Sequence, residues 1–314
     1  MKTRRIGTLD VSVVGLGCNN FGGRIDQAAT TAVVDAALDA GINFFDTADI
    51  YGGTQSEVML GQALGKRRDD VIVATKFGVP LDDERKGGAS GAYVKRACED
   101  SLQRLGTDRI DLYQLHFPDQ ATPIDETLGA LDELVRAGKL REIGCSNFSP
   151  EMLDSATAIS NEQREARFVS VQNEYSLLRR APEQGVLEAC ERDDVAFIPY
   201  FPLASGLLTG KYRRNEAPPD GTRLASMPDD RRDQLFSDKN FNRVEALEGW
   251  ASDHGHTLLE LAVSWLLARP QVASVIAGAT KADQARANAV AADWELSASD
   301  LDEIDTLLAA SRGA

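Results

Sequence analysis

The chain has 314 residues, 43% of them hydrophobic and 26% charged. That length buries a large core without disulfides or a structural metal, and it fits two ordinary domains or one α/β barrel of ~250 residues with additions. Lys and Arg number 34 against 49 Asp and Glu, a net charge of −15, which argues against nucleic acid or an anionic membrane as a partner. The four cysteines, Cys18, Cys98, Cys145 and Cys190, are scattered without a CxxC pair. Neither a disulfide framework nor a zinc site is expected, and the compartment reads as reducing and cytoplasmic. The N-terminal MKTRRIGTLDVSVVG has no long apolar run after its arginines, so it does not read as a signal peptide. The most apolar helical stretch, 258–268, is far short of ~20 residues and contains Glu260, so no membrane span is expected.

Elements alternate along the chain. A β-branched run over 11–18 is the first expected strand, followed by a helix over 27–40, a strand over 44–48 and a helix over 56–64. The pattern continues with strand 71–77, helix 92–105, strand 110–117, helix 126–137, strand 142–146 and helix 150–158. Strand 168–174, helix 183–192, strand 196–203, helix 257–268, strand 273–279 and helix 282–292 complete it. Ser149-Pro150-Glu151 reads as a helix start, Thr257 with Glu260 as a capping box, and Gly41, Gly65 and Gly106 as left-handed stops. Eight strands alternating with eight helices imply a parallel sheet, and eight strands close a barrel.

Three segments fall outside the eightfold pattern. Residues 3–6 and 11–14 flank Gly7-Thr-Leu-Asp10 and suit a hairpin, in which case the first barrel strand is very short or starts later. Residues 204–240, rich in Gly, Pro, Arg and Asp, make a long connection after strand seven, where barrel loops are usually functional. Residues 297–311 form an extra helix with Leu301, Ile304, Leu307 and Leu308 on one face. The expectation is an α/β TIM (β/α)8 barrel with an N-terminal β-hairpin, a long loop after strand 7 and a C-terminal helix, in one domain spanning 1–314.

In such a barrel the chemistry lies at the C-terminal ends of the strands. Strand two ends in Asp46-Thr47-Ala48 with Tyr51 just beyond, strand three in Thr75-Lys76 and strand four in Leu115-His116. Strand five ends in Cys145-Ser146-Asn147, six in Gln172-Asn173 and seven in Pro199-Tyr200. A buried lysine needs a countercharge, which Asp46 can offer. A tyrosine with a pKa of ~10 is a poor acid until a nearby cation stabilises its anion. Lys76 offers that cation, and His116 offers a hydrogen bond to orient a carbonyl oxygen. Tyr51 would then protonate a developing alkoxide, and since no side chain supplies hydride, a nicotinamide cofactor is needed. Two loops suit its phosphates. Ser205-Gly206 through Gly210-Lys211-Tyr212 resembles a P-loop but fails it at both ends, and Gly278-Ala279-Thr280-Lys281 opens a helix whose N-terminus favours anions. His254-Gly-His256 lacks a third ligand nearby, so no metal site is expected, and Trp250, Trp265 and Trp294 read as packing residues.

With these residues in view, the whole chain resembles an aldo-keto reductase. The resemblance is carried in order by Gly15-Leu-Gly17, Asn43-Phe-Phe-Asp46-Thr-Ala-Asp-Ile-Tyr51-Gly, Ile72-Val-Ala-Thr-Lys76 and Asp111-Leu-Tyr-Gln-Leu-His116. It continues through Ile143-Gly-Cys-Ser146-Asn147-Phe, Val171-Gln172-Asn173-Glu-Tyr175, Pro199-Tyr200 to Lys211-Tyr, and Gly278-Ala279-Thr280 with Gln284 and Asn288. The stretch Pro202-Leu203-Ala-Ser205-Gly206 resembles the bacterial and channel β-subunit-like branch. The resemblance implies reduction of an aldehyde or ketone with NADPH. Tyr51 would be the general acid, Lys76 the cation that lowers its pKa, Asp46 that lysine's partner and His116 the carbonyl aligner. Ser146, Asn147 and Gln172 would hold the nicotinamide carboxamide, and Tyr200 would stack on the ring. Phe201, Pro202, Leu203, Ser205, Gly206 and Lys211 would bind the pyrophosphate, and Arg223 would lie near an adenosine 2′-phosphate. Gly278, Thr280, Gln284 and Asn288 would take the adenosine end, with Gly17, Cys18 and Asn19 on the facing wall. Two departures stand out. Cys18-Asn19 replace bulkier groups common at the pocket rim, and Phe201 replaces a serine common in the pyrophosphate loop.

The substrate is expected to be a small carbonyl compound selected by Asn19, Asn20, Phe21 and the segments 79–90 and 204–240. The alternative function is a cofactor-sensing regulatory module of channel β-subunit type. It would need a docking extension, and little sequence precedes the hairpin. A Schiff-base aldolase acting through Lys76 is a third reading, opposed by the pairing with Asp46.

Overall fold

The computed structural model describes residues 1–310 except Asp83 and Ser226, and only the backbone of Arg231. The expected contributions of residues 83, 226 and 311 therefore lie outside the described residues. Strands β1 (Thr3–Ile6) and β2 (Leu9–Ser12) pair as an antiparallel hairpin. The barrel strand β3 (Val14–Gly17) starts only after it, so the choice left open by the sequence falls to the hairpin plus a very short first strand. Ser12 and Asn43 fix the junction, the Ser12 backbone N–H donating to Asn43 Oδ1 at 2.7 Å.

Helix α1 (Gln27–Asp39), β4 (Phe44–Asp46), α2 (Gln55–Leu64), β5 (Ile72–Phe77), α3 (Gly91–Leu105) and β6 (Ile110–Leu115) follow in order. Next come α4 (Ile124–Arg136), β7 (Leu140–Ser146), α5 (Pro150–Gln163), β8 (Phe168–Glu174), α6 (Val186–Asp193) and β9 (Ala196–Tyr200). The chain ends with α7 (Asp229–Leu235), α8 (Asp238–Asp253), α9 (Leu258–Leu267), β10 (Val275–Gly278), α10 (Ala282–Val290) and α11 (Ala298–Ala310). The sheet is parallel and 8-stranded, in the order β10-β3-β4-β5-β6-β7-β8-β9. Its last seam is narrow. The Phe197 N–H donates to the Gln271 carbonyl at 2.7 Å and the Ala273 N–H to the Phe197 carbonyl at 2.9 Å, just before β10 begins.

The expected caps form. The Ser149 side chain accepts from the Met152 N–H ahead of Pro150, and Thr257 and Glu260 complete a reciprocal capping box. Helices α7 and α8 are departures from expectation. The buried face of α8 is only Phe241, Val244, Leu247 and Ala251, a stripe so narrow that the surrounding charges read as loop. The strand expected over 196–203 stops at Tyr200 because Phe201, Ala204 and Ser205 turn left-handed, with φ of 50°, 45° and 58°.

Two cores result. The large one lies between the sheet and its helices and takes in Val33, Val73, Tyr113, Leu131 and Trp265. The small one fills the N-terminal end of the barrel, where Ile6, Leu9 and Val11 of the hairpin pack on Phe44, Ala74, Leu112 and Ile198. The hairpin thus plugs that end. On α11, Ile304 and Leu308 are buried and Leu301 and Leu307 lean on the core. Among the described residues no helix is long and apolar enough to cross a membrane.

Candidate active site

Side chains alternate along a strand, so residues two positions beyond the apolar plug also point inward. There β4 presents Asp46, β5 Lys76, β6 Gln114, β7 Ser146 and β8 Gln172, all buried. The Lys76 ammonium donates to Asp46 Oδ2 at 2.6 Å and to the Thr47 carbonyl at 2.9 Å. Its nitrogen also lies 5.2 Å from the centre of the Tyr51 ring, close enough for the two groups to influence each other's ionisation.

Tyr51 is placed by a turn after β4. Gly52 follows with φ of 59°, and a Cβ there would lie 2.3 Å from the Phe21 carbonyl oxygen, so only glycine fits. The His116 ring, just beyond β6, meets Tyr51 edge to face at 5.9 Å and stacks on Phe117 at 5.1 Å. Burial, and then Lys76, push the His116 pKa down to about 3, so the imidazole is neutral. Among the described residues its buried Nδ1 has no hydrogen-bond partner. An unpaired lone pair costs less than an unpaired N–H, which puts the proton on Nε2 as a donor.

Two electrostatic directions bear on the sequence argument. Burial opposes the charge on Lys76, but Asp46 and then Tyr51 outweigh it and hold the pKa above the usual lysine value. A lysine held charged by a buried carboxylate is a poor amine nucleophile. For Tyr51 burial is the largest influence and raises the pKa above 10, while Lys76 pulls the other way. Lys76 therefore acts in the expected direction, lowering the pKa of this tyrosine, against burial as the larger influence.

A cleft of about 610 Å³ opens above this layer. Every residue expected to take part in catalysis or to hold the cofactor lines it except Lys76, which lies behind Tyr51 and Asp46. At its inner end Ser146 Oγ donates to the Gln172 carbonyl at 2.7 Å. Asn147, left-handed at φ 62°, donates to the His116 carbonyl at 3.0 Å and accepts from the Tyr200 hydroxyl at 2.9 Å. That bond fixes the Tyr200 ring on the cleft wall. At the outer end Phe201, Ala204 and Ser205 are left-handed and turn the chain along the cleft, and a Cβ on Gly206 would strike Lys211 Nζ at 2.8 Å. Thr280 donates through its N–H and hydroxyl to Gln284 Oε1, and Asn288 is buried below them.

Arg24, Lys211 and Arg223 meet in this outer half. Burial, then Arg24 and Arg223, lower the Lys211 pKa. Crowded cations in a protein of net charge −15 are what a bound anion relieves, so the donor set fits a dinucleotide pyrophosphate. Arg223 also donates to Asn19 Oδ1 at 3.0 Å and Asn20 Oδ1 at 3.2 Å, and Arg24 to the Gly221 carbonyl at 2.7 Å. Segment 220–223 therefore crosses the cleft.

The structure also revises the expected substrate contacts. Asn19 and Asn20 line the cleft, but Phe21 is buried away from it, and no described residue of 79–90 reaches it. Phe117, 52% exposed at the mouth, lies there instead. Arg24, Phe117, Gln114, Asp49 and Glu57 all escaped the sequence reading. Only Phe117 and Gln114, beside His116, had a positional signal. The four cysteines are buried and none forms a disulfide. Trp265 is a core residue, whereas Trp250 and Trp294 stack with His254 and His256 in a surface cluster.

The aldo/keto reductase family profile matches residues 13–309. Uncharacterized oxidoreductase YqkF of Bacillus subtilis (strain 168) is 38% identical over 298 residues, covering 93% of this chain and 92% of its own length. Aldo-keto reductase yakc [NADP(+)] of Schizosaccharomyces pombe (strain 972) is 34% identical and covers 85% and 79%. A probable voltage-gated potassium channel subunit beta of Oryza sativa subsp. japonica is 33% identical and covers 87% and 84%.

Proposed function

This chain belongs to the aldo/keto reductase family, and from that premise we propose that it is an NADPH-dependent oxidoreductase that reduces an aldehyde or ketone to the alcohol. The supporting observation is the buried chain Asp46–Lys76–Tyr51 ending beside His116 at the inner end of a cleft whose outer end gathers Arg24, Lys211 and Arg223. NADPH bound there would supply the hydride that no side chain can.

The remaining work falls to the protein. The neutral His116 imidazole donates through Nε2 to the carbonyl oxygen and sets its position. Tyr51 gives its proton to that oxygen as negative charge develops. Lys76 then stabilises the phenolate, and Asp46 keeps the lysine charged and in place. Ser146 and Gln172, with Asn147 behind them, hold the carboxamide, and Tyr200 supports the ring. Phe201 through Gly206 and Lys211 cradle the pyrophosphate. Arg223 approaches a 2′-phosphate, Thr280, Gln284 and Asn288 hold the adenosine end, and Gly17, Cys18, Asn19 and Gly278 form the facing wall. The name of the yeast relative supports NADP as the cofactor.

Replacing Tyr51 by Phe removes one hydroxyl and little else. Turnover should fall by roughly 10³-fold, within the range of general acid catalysis, while NADPH still quenches protein fluorescence as in the parent. Full turnover in the variant would overturn the role. The likeness to the rice protein supports a second reading, a cofactor-sensing module. Steady NADPH oxidation with a panel of aldehydes decides for the enzyme, and bound NADPH that no aldehyde consumes decides for the module.

A further inference from the structure

The Asp46 carboxylate has two sides. Oδ2 takes the Lys76 ammonium at 2.6 Å. Oδ1 takes two amides, Gln172 Nε2 at 2.9 Å and Gln114 Nε2 at 3.2 Å. The two glutamines also touch, Gln172 Nε2 donating to Gln114 Oε1 at 3.4 Å. The ring is closed, and Gln114 and Gln172 are as buried as the lysine and the aspartate. Room for it comes from β7, where a Cβ on Gly144 would lie 3.3 Å from Gln114 Cγ and 2.3 Å from Ser170 Oγ. Gln114 pairs in register with Lys76 on one side and Gly144 on the other.

We propose that Gln114 is a positioning residue of the proton-transfer site: with Gln172 it holds Asp46 Oδ1, so that Oδ2 stays aimed at Lys76 and part of the lysine's charge is left for Tyr51. The physical reason is competition. A carboxylate that accepts two amide donors on one oxygen draws less on the ammonium at the other. Without Gln114 the Asp46–Lys76 pair tightens, less positive charge reaches the Tyr51 oxygen, and the phenol holds its proton more firmly. Gln172 has both N–H groups committed to Asp46 and Gln114, so it can meet a carboxamide only as an acceptor, through Oε1. The amide at the nicotinamide end and the carboxylate at the proton site are thereby parts of one hydrogen-bonded unit.

This inference rests on the proposed reductase chemistry for its kinetic arm but not for its spectroscopic one. Gln114→Met keeps the volume and removes the donor. In alcohol oxidation with NADP⁺, where Tyr51 must accept a proton, the rising limb of kcat against pH should move up by about 0.5 pH units, a roughly threefold loss on that limb. In the cofactor-free protein, ¹³Cζ-tyrosine NMR should show ionisation of Tyr51, assigned by the signal missing in Tyr51→Phe, moving the same way. Gln114→Asn, which keeps an amide but withdraws it by one methylene, should shift both readouts less, and it serves if Gln114→Met fails to fold. Unmoved Tyr51 ionisation and an unmoved limb in a folded Gln114 variant would overturn the proposal. An absence of turnover in the parent protein, with the NMR shift still present, would instead remove the reductase reading and leave the positioning role standing.

Discussion

At Phe44, Ala74, Leu112 and Ile198 the barrel strands face one another with apolar side chains beneath the hairpin. Two residues further along the same strands stand Asp46, Lys76, Gln114 and Tyr200. The upper layer is as buried as the lower at Asp46, Lys76 and Gln114, so exposure to water does not separate the two. The difference lies in what each layer asks of its neighbours. The lower one needs only volume, because dispersion and burial are tolerant of direction. The upper one needs every donor matched to an acceptor, because an unpaired charge in that position is severely penalised. One layer carries stability and the other chemistry, and the strand period of two connects them.

The comparison breaks most sharply at Lys76. Lys76→Met leaves Asp46 buried without its cation and Tyr51 without the positive charge beside it. Unfolding measurements should show a loss of about 3 kcal/mol, and turnover should fall by ~10³-fold or more. Leu112→Ala, two residues below Gln114, tests the other layer. It should cost about 2–4 kcal/mol in chemical denaturation, while kcat and its pH profile stay within about twofold of the parent. A displaced pH profile in that variant would show that the layers are coupled through packing.

A pH-dependent effect concerns Asp49, between Asp46 and Tyr51 in sequence but outside the hydrogen-bonded ring. It is fully buried, and neither carboxylate oxygen has a partner among the described residues. Burial, and then Glu57, raise its pKa to about 7. Between the ordinary carboxylate value and about pH 7 the folded chain keeps a proton that the unfolded chain has lost. Stability from this group is therefore complete at about pH 4 and declines as pH rises through 7. Asp49→Asn should leave stability unchanged near pH 4 and raise it at pH 8, read from chemical denaturation at the two pH values. Equal shifts at both pH values would exclude the linkage.

The two layers were not equally legible in the sequence. The alternation of strands and helices is a periodicity signal, so seven barrel strands and most helices could be placed within a few residues. The short β3 could not, because the preceding hairpin strand carries the same β-branched pattern. Helix α8 was missed because four apolar residues among charges give too weak a stripe. Within the site, Asp46, Tyr51, Lys76 and His116 were legible because polar residues at strand ends break an apolar run. Gln114 breaks a run in the same way, yet nothing local to it reveals that its amide meets a carboxylate 68 positions earlier. Arg24 and segment 220–223 belong to loops, whose path over the cleft is set by contacts between distant parts of the chain.

Residue order alone fixed what is periodic and short-range: the strand–helix alternation, the caps at Ser149 and Thr257, and the polar residues that end each strand. Those features depend on neighbours a few positions away, and backbone sterics and hydrophobic patterning express them directly. Folding in three dimensions decided the rest, including the hairpin plug, the ring around Asp46, the distance of the described residues of 79–90 from the cleft and the balance of burial against charge at Tyr51. Each of these depends on distances between groups far apart in the chain, and the strength of an electrostatic contact in a low-dielectric interior varies with those distances and with the water they exclude.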